Sequence, residues 1–446
     1  MGKIIIIGLI SLVTLLSFAF PWLGAVAGYT FTALAPQDVW YWDFTGFRPE
    51  FWMLGATGIG FIIAIVSHRV NLDVMKNKRI LYLFILLFFC VISYYFGPFT
   101  HVGGPYRFTN ATYRLDNLYK IFILFLIASA CIDREARLKV LYGVLVFSGI
   151  YMTYWAHHQY VIGNYSGRLG GPSAPGGAGM YVDQNSFAML FVVLSPFIWY
   201  WGAIQRSALK WVIWLIIPFC WRAVFLTASR GGLLGLGVTL AVIVLRSNRR
   251  ILGFLLLPAF LFVFFAHGGS VMLRRAQRIT HYHKQGSAAG RLESWHAALE
   301  MIVHHPITGV GLASYGPAFP HYSNMTPREA HDTFLQIAAD NGLVAGVMYL
   351  LVVYGVLTAL WKNGIRMKEN DADAIHSFLY AANEATLASF AGLVVCSVFL
   401  SLQDFEIFYC LVVIANAVLY LSNRTTQEIN QAQPVEEEPM APSARA

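Results

Sequence analysis

The sequence predicts an all-α integral membrane protein with about twelve transmembrane helices and one long outer loop. Hydrophobic residues make up 57% of the 446 residues and charged residues only 12%, compared with about 25% charged residues in soluble proteins. Apolar runs of about 16–20 residues recur along the chain, and each is long enough to cross a bilayer as a helix. Because these runs do not alternate with polar residues, they predict helices and not the strands of a barrel.

Basic residues predict how the helices are oriented. Lysines and arginines are concentrated in five short loops, which alternate with loops that contain few of them. Short loops rich in basic residues remain in the cytoplasm, so both chain ends are expected there, and the apolar start is expected to act as a signal anchor. The five loops are residues 68–79, 132–139, 202–210, 246–250 and 361–385.

The apolar runs divide the chain into four parts. Residues 1–265 hold nine predicted spans, residues 266–331 the long outer loop, residues 332–421 three more spans, and residues 422–446 a polar tail that is expected to be disordered. The first run is interrupted at Pro21, which predicts a kinked helix or two short ones. The predicted spans are residues 4–34, 51–67, 80–97, 118–131, 140–160, 185–201, 211–227, 231–245, 251–266, 332–361, 386–401 and 407–421.

The long outer loop contains most of the chain's histidines. Eight of the thirteen lie in residues 266–331, which indicates that the protein performs its chemistry there. Within the loop, apolar residues such as Leu292 and Trp295 recur at helical spacing. Residues 289–304 are therefore predicted to form an amphipathic helix on the outer membrane interface, ended by Pro306.

Three side chains are the main candidates for chemistry. His331 is predicted to open a membrane helix, whose partial positive charge favours the neutral imidazole of a general base; the alternative is a histidine that caps the helix. Arg230 is predicted at the outer membrane edge, where basic residues are infrequent; the alternative is a snorkelling arginine that pairs with lipid phosphate. Arg291 starts the amphipathic helix, where its planar guanidinium suits phosphate oxygens; the alternative is an exposed arginine on a solvated face.

Four further arginines are secondary candidates. Arg222 falls inside an apolar run, and a charge within the membrane indicates a function by default. Arg274, Arg275 and Arg278 form a basic patch at the start of the long loop. Such a patch is typical of contact with anionic lipid headgroups.

The sequence predicts neither a metal site nor a cofactor. His281-x-His283 and His304-His305 are the close histidine pairs of the loop, and no other ligand stands at zinc-type spacing from them. The five cysteines lie in or beside apolar runs and are expected to be small core residues. Membrane topology accounts for the net charge of +8, so no nucleic-acid partner is predicted.

Three segments together resemble the O-antigen ligase and polymerase superfamily, bacterial membrane enzymes that transfer lipid-linked glycans. Ser229-Arg-Gly-Gly is similar to that family's arginine at the outer end of a span. Arg291 followed by Pro306-x-x-Gly-x-Gly is similar to its outer-loop segment, and His331-Asp-Thr-Phe to its histidine-opened helix. Asp183-Gln-Asn-Ser is similar to a feature of a subgroup associated with exosortase systems.

The resemblance implies a GT-C-like glycosyltransferase of the inner membrane, with its active site facing the periplasm. The donor would be a glycan on undecaprenyl pyrophosphate, and the acceptor would be lipid A-core, a protein or another glycan. Arg230 and Arg291 would hold the pyrophosphate, and His331 would take the acceptor proton. The transfer would proceed with inversion and without a metal or another cofactor.

Two departures from the family pattern and three alternatives stand beside this interpretation. Asp332 replaces the usual Asn, Ser or Gln, which makes it a candidate for orienting or charging His331, and Ala345 replaces Gly, Thr or Tyr. The first alternative is a polymerase of the same superfamily. The second is a polysaccharide or lipid transporter, for which paired charges near the bilayer midplane and internal repeats are expected. The third is a membrane scaffold.

Overall fold

A computed structural model describes residues 2–44, 49–102, 110–173, 179–247, 258–265, 287–370 and 372–432. Every regular element within these residues is helical, which confirms the predicted all-α fold. The helices are α1 (Gly2–Ala19), α2 (Pro21–Leu34), α3 (Pro36–Val39), α4 (Pro49–Val66), α5 (Lys78–Phe96), α6 (Ala111–Cys131), α7 (Glu135–Val161), α8 (Gln184–Ala203), α9 (Leu209–Leu215), α10 (Ile217–Leu226), α11 (Arg230–Arg246), α12 (Ser287–His304), α13 (Tyr315–Ala318), α14 (Thr333–Asn341), α15 (Leu343–Asn370), α16 (Phe378–Ser397) and α17 (Glu406–Ala432).

Eight helical stretches in the described residues are long and apolar enough to cross a membrane, so the chain is a polytopic membrane protein. Twelve spans were predicted, and four of them are not among these eight. The apolar part of α1 is shorter, Lys3–Ala19; α6 is more polar, and α11 has only 17 residues. Most of the predicted span 251–266 lies outside the described residues. The eight are Pro49–Val66, Lys78–Phe96, Glu135–Val161, Gln184–Ala203, Leu209–Leu226, Leu343–Asn370, Phe378–Ser397 and Glu406–Gln427.

Two predicted runs are broken helices. The first run forms α1 and α2, which separate at Phe20, directly before Pro21, as the proline predicts. The prediction of one span over residues 332–361 is wrong, because α14 ends at Asn341 and α15 begins at Leu343. Gly342 between them has a φ of 89°, and a Cβ there would stand 2.1 Å from the carbonyl oxygen of Ile307. The helix that follows His331 is therefore a separate nine-residue helix and not a membrane span.

The basic loops meet at one end of the bundle. Arg246, at the end of α11, forms a buried two-point ion pair with Glu384 of α16, at 2.8 Å for Nε to Oε2 and 2.7 Å for Nη2 to Oε1. Lys368 donates to the Arg246 carbonyl oxygen at 2.7 Å, and Lys139 lies 5.2 Å from the centre of the Phe378 ring. Three of the five predicted cytoplasmic loops thus share one side of the protein.

The outer loop is a small folded unit with its own core. The predicted amphipathic helix is confirmed as α12, and its placement on the membrane interface stays a prediction. The segment after Pro306 is tied to α14: the amides of Val310 and Gly311 donate to the carbonyl oxygens of Ala339 and Asp340 at 2.8 and 3.1 Å. The buried residues of this second core are Ala297, Ala298, Met301, Val310, Tyr315, Ala318, Phe319, Ala330 and Ala339.

Candidate active site at one end of the bundle

Arg230 occupies the first position of α11. Ala228 makes the tight turn from α10 with a φ of 50°, and the Ser229 hydroxyl caps α11 by accepting from the Gly232 amide at 3.1 Å. The Arg230 side chain is exposed. Arg246 is the last residue of the same 17-residue helix, about 24 Å away at 1.5 Å per residue, so Arg230 lies at the end of the bundle opposite the basic loops.

The two glycines after Arg230 serve packing. A Cβ on Gly231 would stand 2.8 Å from the Cβ of Phe399, and one on Gly232 would stand 2.5 Å from the Cβ of Ala188. In the described residues these glycines let α11 pack closely against α8 and against the segment that holds Phe399.

Arg291 lies close to Arg230. Its guanidinium carbon is 5.6 Å from the centre of the Phe399 ring, the ring that packs on Gly231. Partial burial lowers the pKa of Arg291, and the positive charge of Arg230 lowers it further, whereas the carboxylate of Asp183 raises it. Two guanidinium groups that repel each other in this way form a site suited to an anion with more than one charge.

His331 lies near Arg291, but its backbone is not placed as the sequence predicted. It has a φ of 51°, an infrequent conformation for a residue other than glycine, and it precedes α14 outside the helix. Its side chain remains accessible. Partial burial is the largest cause that lowers its pKa below 6.5, followed by the charge of Arg291; Glu329 and Asp183 raise this pKa, and Arg328 lowers it. The imidazole is thereby kept neutral near pH 7, as a proton acceptor requires.

Asp332 is the N-cap of α14. Its Oδ1 accepts from the Leu335 amide at 3.0 Å, and the side chain is buried. Burial raises the pKa of Asp332, and the amides of Leu335 and Phe334 counteract that rise by donating to the carboxylate. The structure therefore shows this carboxylate as a helix cap, and its predicted effect on His331 stays a prediction.

The other predicted candidates are not at this site or are not described. Arg222 lies on α10 with its guanidinium carbon 5.0 Å from the centre of the Tyr160 ring. Arg274, Arg275 and Arg278 lie outside the described residues, as does the histidine pair His281 and His283.

The described histidines of the outer loop have local partners. His304 Nδ1 lies 2.8 Å from the Glu300 carbonyl oxygen, and His305 Nε2 lies 2.9 Å from the Tyr322 hydroxyl. In the part of the chain that the structure describes, no three His, Cys, Asp or Glu side chains form a group that could hold a metal ion.

Three residues beside the site were not among the predicted site residues. Asp183 caps α8 by accepting from the amides of Asn185 and Ser186 at 2.8 and 2.9 Å. The side-chain oxygen of Asn185, Oδ1, accepts from the Ser229 hydroxyl at 2.9 Å and from Arg168 Nη2 at 3.1 Å. The available signals in the sequence were an acidic N-cap residue before an apolar run and an arginine among the glycines of residues 162–182. Neither indicates proximity to Arg230 without the fold.

The fold and the site define a polytopic, all-helical membrane protein with an arginine-rich, histidine-containing site at one end. Residues 212–350 match the family model described as O-antigen ligase, which places this part of the chain in the O-antigen ligase superfamily and confirms the resemblance. The matched range contains Arg222, Arg230, Arg291 and His331. The family indicates an enzyme of the O-antigen ligase type that acts on lipid-linked glycans. No curated protein matches the chain.

Proposed function

We propose that the protein transfers a glycan from a polyprenyl-pyrophosphate carrier, undecaprenyl pyrophosphate, to an acceptor hydroxyl on the periplasmic face of the inner membrane. The acceptor is lipid A-core or a protein. The observation that carries the proposal is the contact of Arg291 with the Phe399 ring, which packs on Gly231 next to Arg230, together with the charge of Arg291 near His331. Arg230, Arg291 and His331 lie in the segment, residues 212–350, that matches the O-antigen ligase family model.

Arg230 and Arg291 bind the pyrophosphate of the donor. Guanidinium groups form two-point, charge-assisted hydrogen bonds with phosphate oxygens, and two of them offset the charge that develops on the leaving group. Their mutual repulsion is relieved when the anion binds, so the pair favours the donor. The site does not require a metal ion to neutralise the pyrophosphate, and full activity in the presence of a chelator is the expected result.

His331 acts as the general base. A ring nitrogen takes the proton from the acceptor hydroxyl as its oxygen attacks the anomeric carbon from the face opposite the carrier. The bond between the anomeric carbon and the phosphate oxygen breaks, and the electron pair leaves with the carrier pyrophosphate held by the arginines. One displacement of this kind inverts the anomeric configuration, because the new bond forms on the opposite face.

The test is transfer by purified protein supplied with the lipid-linked donor and an acceptor. His331→Ala is expected to abolish transfer while the protein still inserts and elutes as the wild type does. His376→Ala is the matched control, because His376 is also exposed but lies just before α16 at the end of the bundle that holds Arg246. Normal transfer by His331→Ala would end the proposed mechanism.

A polymerase of the same superfamily is the second candidate, since the family indicates both reactions. A ligase passes the glycan to a different acceptor, whereas a polymerase joins repeats to each other. Glycan analysis of a deletion strain separates them: loss of a ligase leaves long lipid-linked polymer, and loss of a polymerase leaves single repeats. Normal glycans whose transport alone is impaired would instead favour the transporter alternative.

A further inference from the structure

Arg222 is part of a stack of three planar groups at the outer end of α7 and α10. Its guanidinium carbon lies 5.0 Å from the centre of the Tyr160 ring, and Tyr160 stacks on Tyr165 with the ring centres 5.1 Å apart and the planes 16° from parallel. Leu226 ends α10 four residues later, so Arg222 lies about 6 Å below the helix end. A side chain as long as that of arginine can reach the headgroup region of a membrane from this position.

The Arg222 stack lies on a lipid-facing surface. Trp211, Leu215 and Phe219 are exposed apolar side chains on α9 and α10, and Arg222 continues this stripe at helical spacing. On α7, Tyr154 is likewise exposed. An arginine that is partly buried and continues an apolar stripe is placed to contact lipid headgroups with its guanidinium.

The guanidinium of Arg222 lacks a counterion in the described residues. Its Nε is buried and has no hydrogen-bond partner there, and the ion pairs of that part of the chain do not include Arg222. Buried polar groups normally have a partner, so each orphan indicates a missing ligand or a cost in stability. Tyr160 covers one face of the guanidinium by a cation–π contact, which leaves the N–H groups of the two terminal nitrogens to bind a ligand.

We propose that Arg222 and Tyr160 form a binding site for the phosphate of a membrane lipid in the leaflet at this end of the bundle. Phosphate oxygens match the spacing of the guanidinium N–H groups, and a lipid presents its phosphate at the depth of Arg222. Two lipids carry this chemistry: a glycerophospholipid and a phosphorylated polyprenyl carrier. The site is separate from the Arg230, Arg291 and His331 site and does not depend on the transferase proposal.

The experiment is native mass spectrometry of the purified full-length protein in detergent, titrated separately with phosphatidylglycerol, undecaprenyl phosphate and diacylglycerol. Diacylglycerol has no phosphate and controls for apolar binding. The test variant is Arg222→Gln, and the matched control is Arg206→Gln, which removes an exposed arginine from a basic loop. Arg222→Gln is expected to weaken the binding of at least one phosphorylated lipid about tenfold and to leave the binding of diacylglycerol unchanged.

The pattern of losses identifies the lipid. Weaker binding of undecaprenyl phosphate alone assigns the site to the carrier, and weaker binding of phosphatidylglycerol alone assigns it to the bulk membrane; equal losses assign it to lipid phosphate in general. Tyr160→Leu keeps the charge and removes the stack, so a smaller loss in the same direction is expected, and this variant carries the test where Arg222→Gln does not fold. Wild-type affinity of the folded variants for both phosphorylated lipids would overturn the proposal.

Discussion

The guanidinium of Arg291 faces the ring of Phe399 at 5.6 Å, and that ring packs against Gly231, the residue after Arg230. One aromatic side chain thus sets the spacing between two arginines that are 61 positions apart in the chain. The Phe399 segment follows α16, so the arrangement of the two arginines that are proposed to bind the donor depends on packing among α11, α12 and the end of α16.

Substitution of Gly231 by alanine is predicted to impair transfer without unfolding the protein. The new Cβ would stand 2.8 Å from Phe399 Cβ, so the ring must move and Arg291 with it. A misplacement of about 1 Å costs on the order of 100-fold in rate. Gly237→Ala on the same helix is the control, because nothing lies within 4 Å of its Cβ position. Wild-type transfer by Gly231→Ala would show that the Phe399 contact does not position Arg291.

The pH dependence of transfer is predicted to follow His331. Its pKa is lowered, so the neutral base persists to lower pH, and the rate falls once the pH drops through that pKa. Arg328→Gln removes a cation that lowers the His331 pKa, so the acidic limb of the rate profile moves to higher pH. Asp183→Asn removes an anion that raises this pKa and keeps a capping side chain, so the limb moves to lower pH.

The check is to measure the transfer rate of the wild type and of both variants as a function of pH, from about pH 5 to pH 8, a range that includes the ordinary pKa of histidine. Opposite displacements identify His331 as the titrating group. Identical profiles in the wild type and both variants would mean that another group sets the acidic limb.

The capping role of Asp332 predicts that its two neutral substitutions behave differently. Asp332→Asn retains an acceptor for the Leu335 amide and is expected to resemble the wild type in stability and transfer. Asp332→Ala loses the cap, which costs about 1 kcal/mol and lowers the melting temperature. Thermal melting and transfer assays are run on both. Inactivity of a stable Asp332→Asn would show that the ionised carboxylate itself serves His331.

Gly364 on α15 is predicted to be essential for stability. A Cβ there would stand 2.1 Å from Glu384 Oε1 and 2.3 Å from Arg246 Nη2, so alanine would force apart the buried ion pair. Overpacking alone costs about 1–3 kcal/mol, and a broken buried pair costs more. Gly355→Ala on the same helix makes an ordinary contact, at 3.4 Å from Arg79 Cγ, and is expected to melt like the wild type. Equal melting temperatures of Gly364→Ala and the wild type would show that the fold does not require glycine at this position.

The sequence predicted the individual site residues better than their surroundings. Arg230, Arg291 and His331 were selected from their positions beside apolar runs and from motif likeness. In the structure Arg291 is near enough to interact with the charge of Arg230 and with His331, and the roles of the three residues stay predictions. The break at Gly342 was not predicted, although Asp340-Asn341-Gly342 interrupts the apolar pattern with a sequence that is typical of a helix end. Asp183 was missed as a site neighbour because an N-cap pattern carries no information about what lies across the bundle.

Composition and hydrophobic runs were sufficient by themselves to determine the membrane class, the helical fold and the helix of the outer loop, because each depends on local periodicity and on the cost of exposing apolar surface. The tertiary structure alone decided that Arg291 contacts the ring that packs on Gly231, next to Arg230, that His331 precedes a separate short helix, and that Arg222 stacks on Tyr160. Those relationships join residues far apart in the chain, and only packing in three dimensions sets the distances on which charge and contact depend.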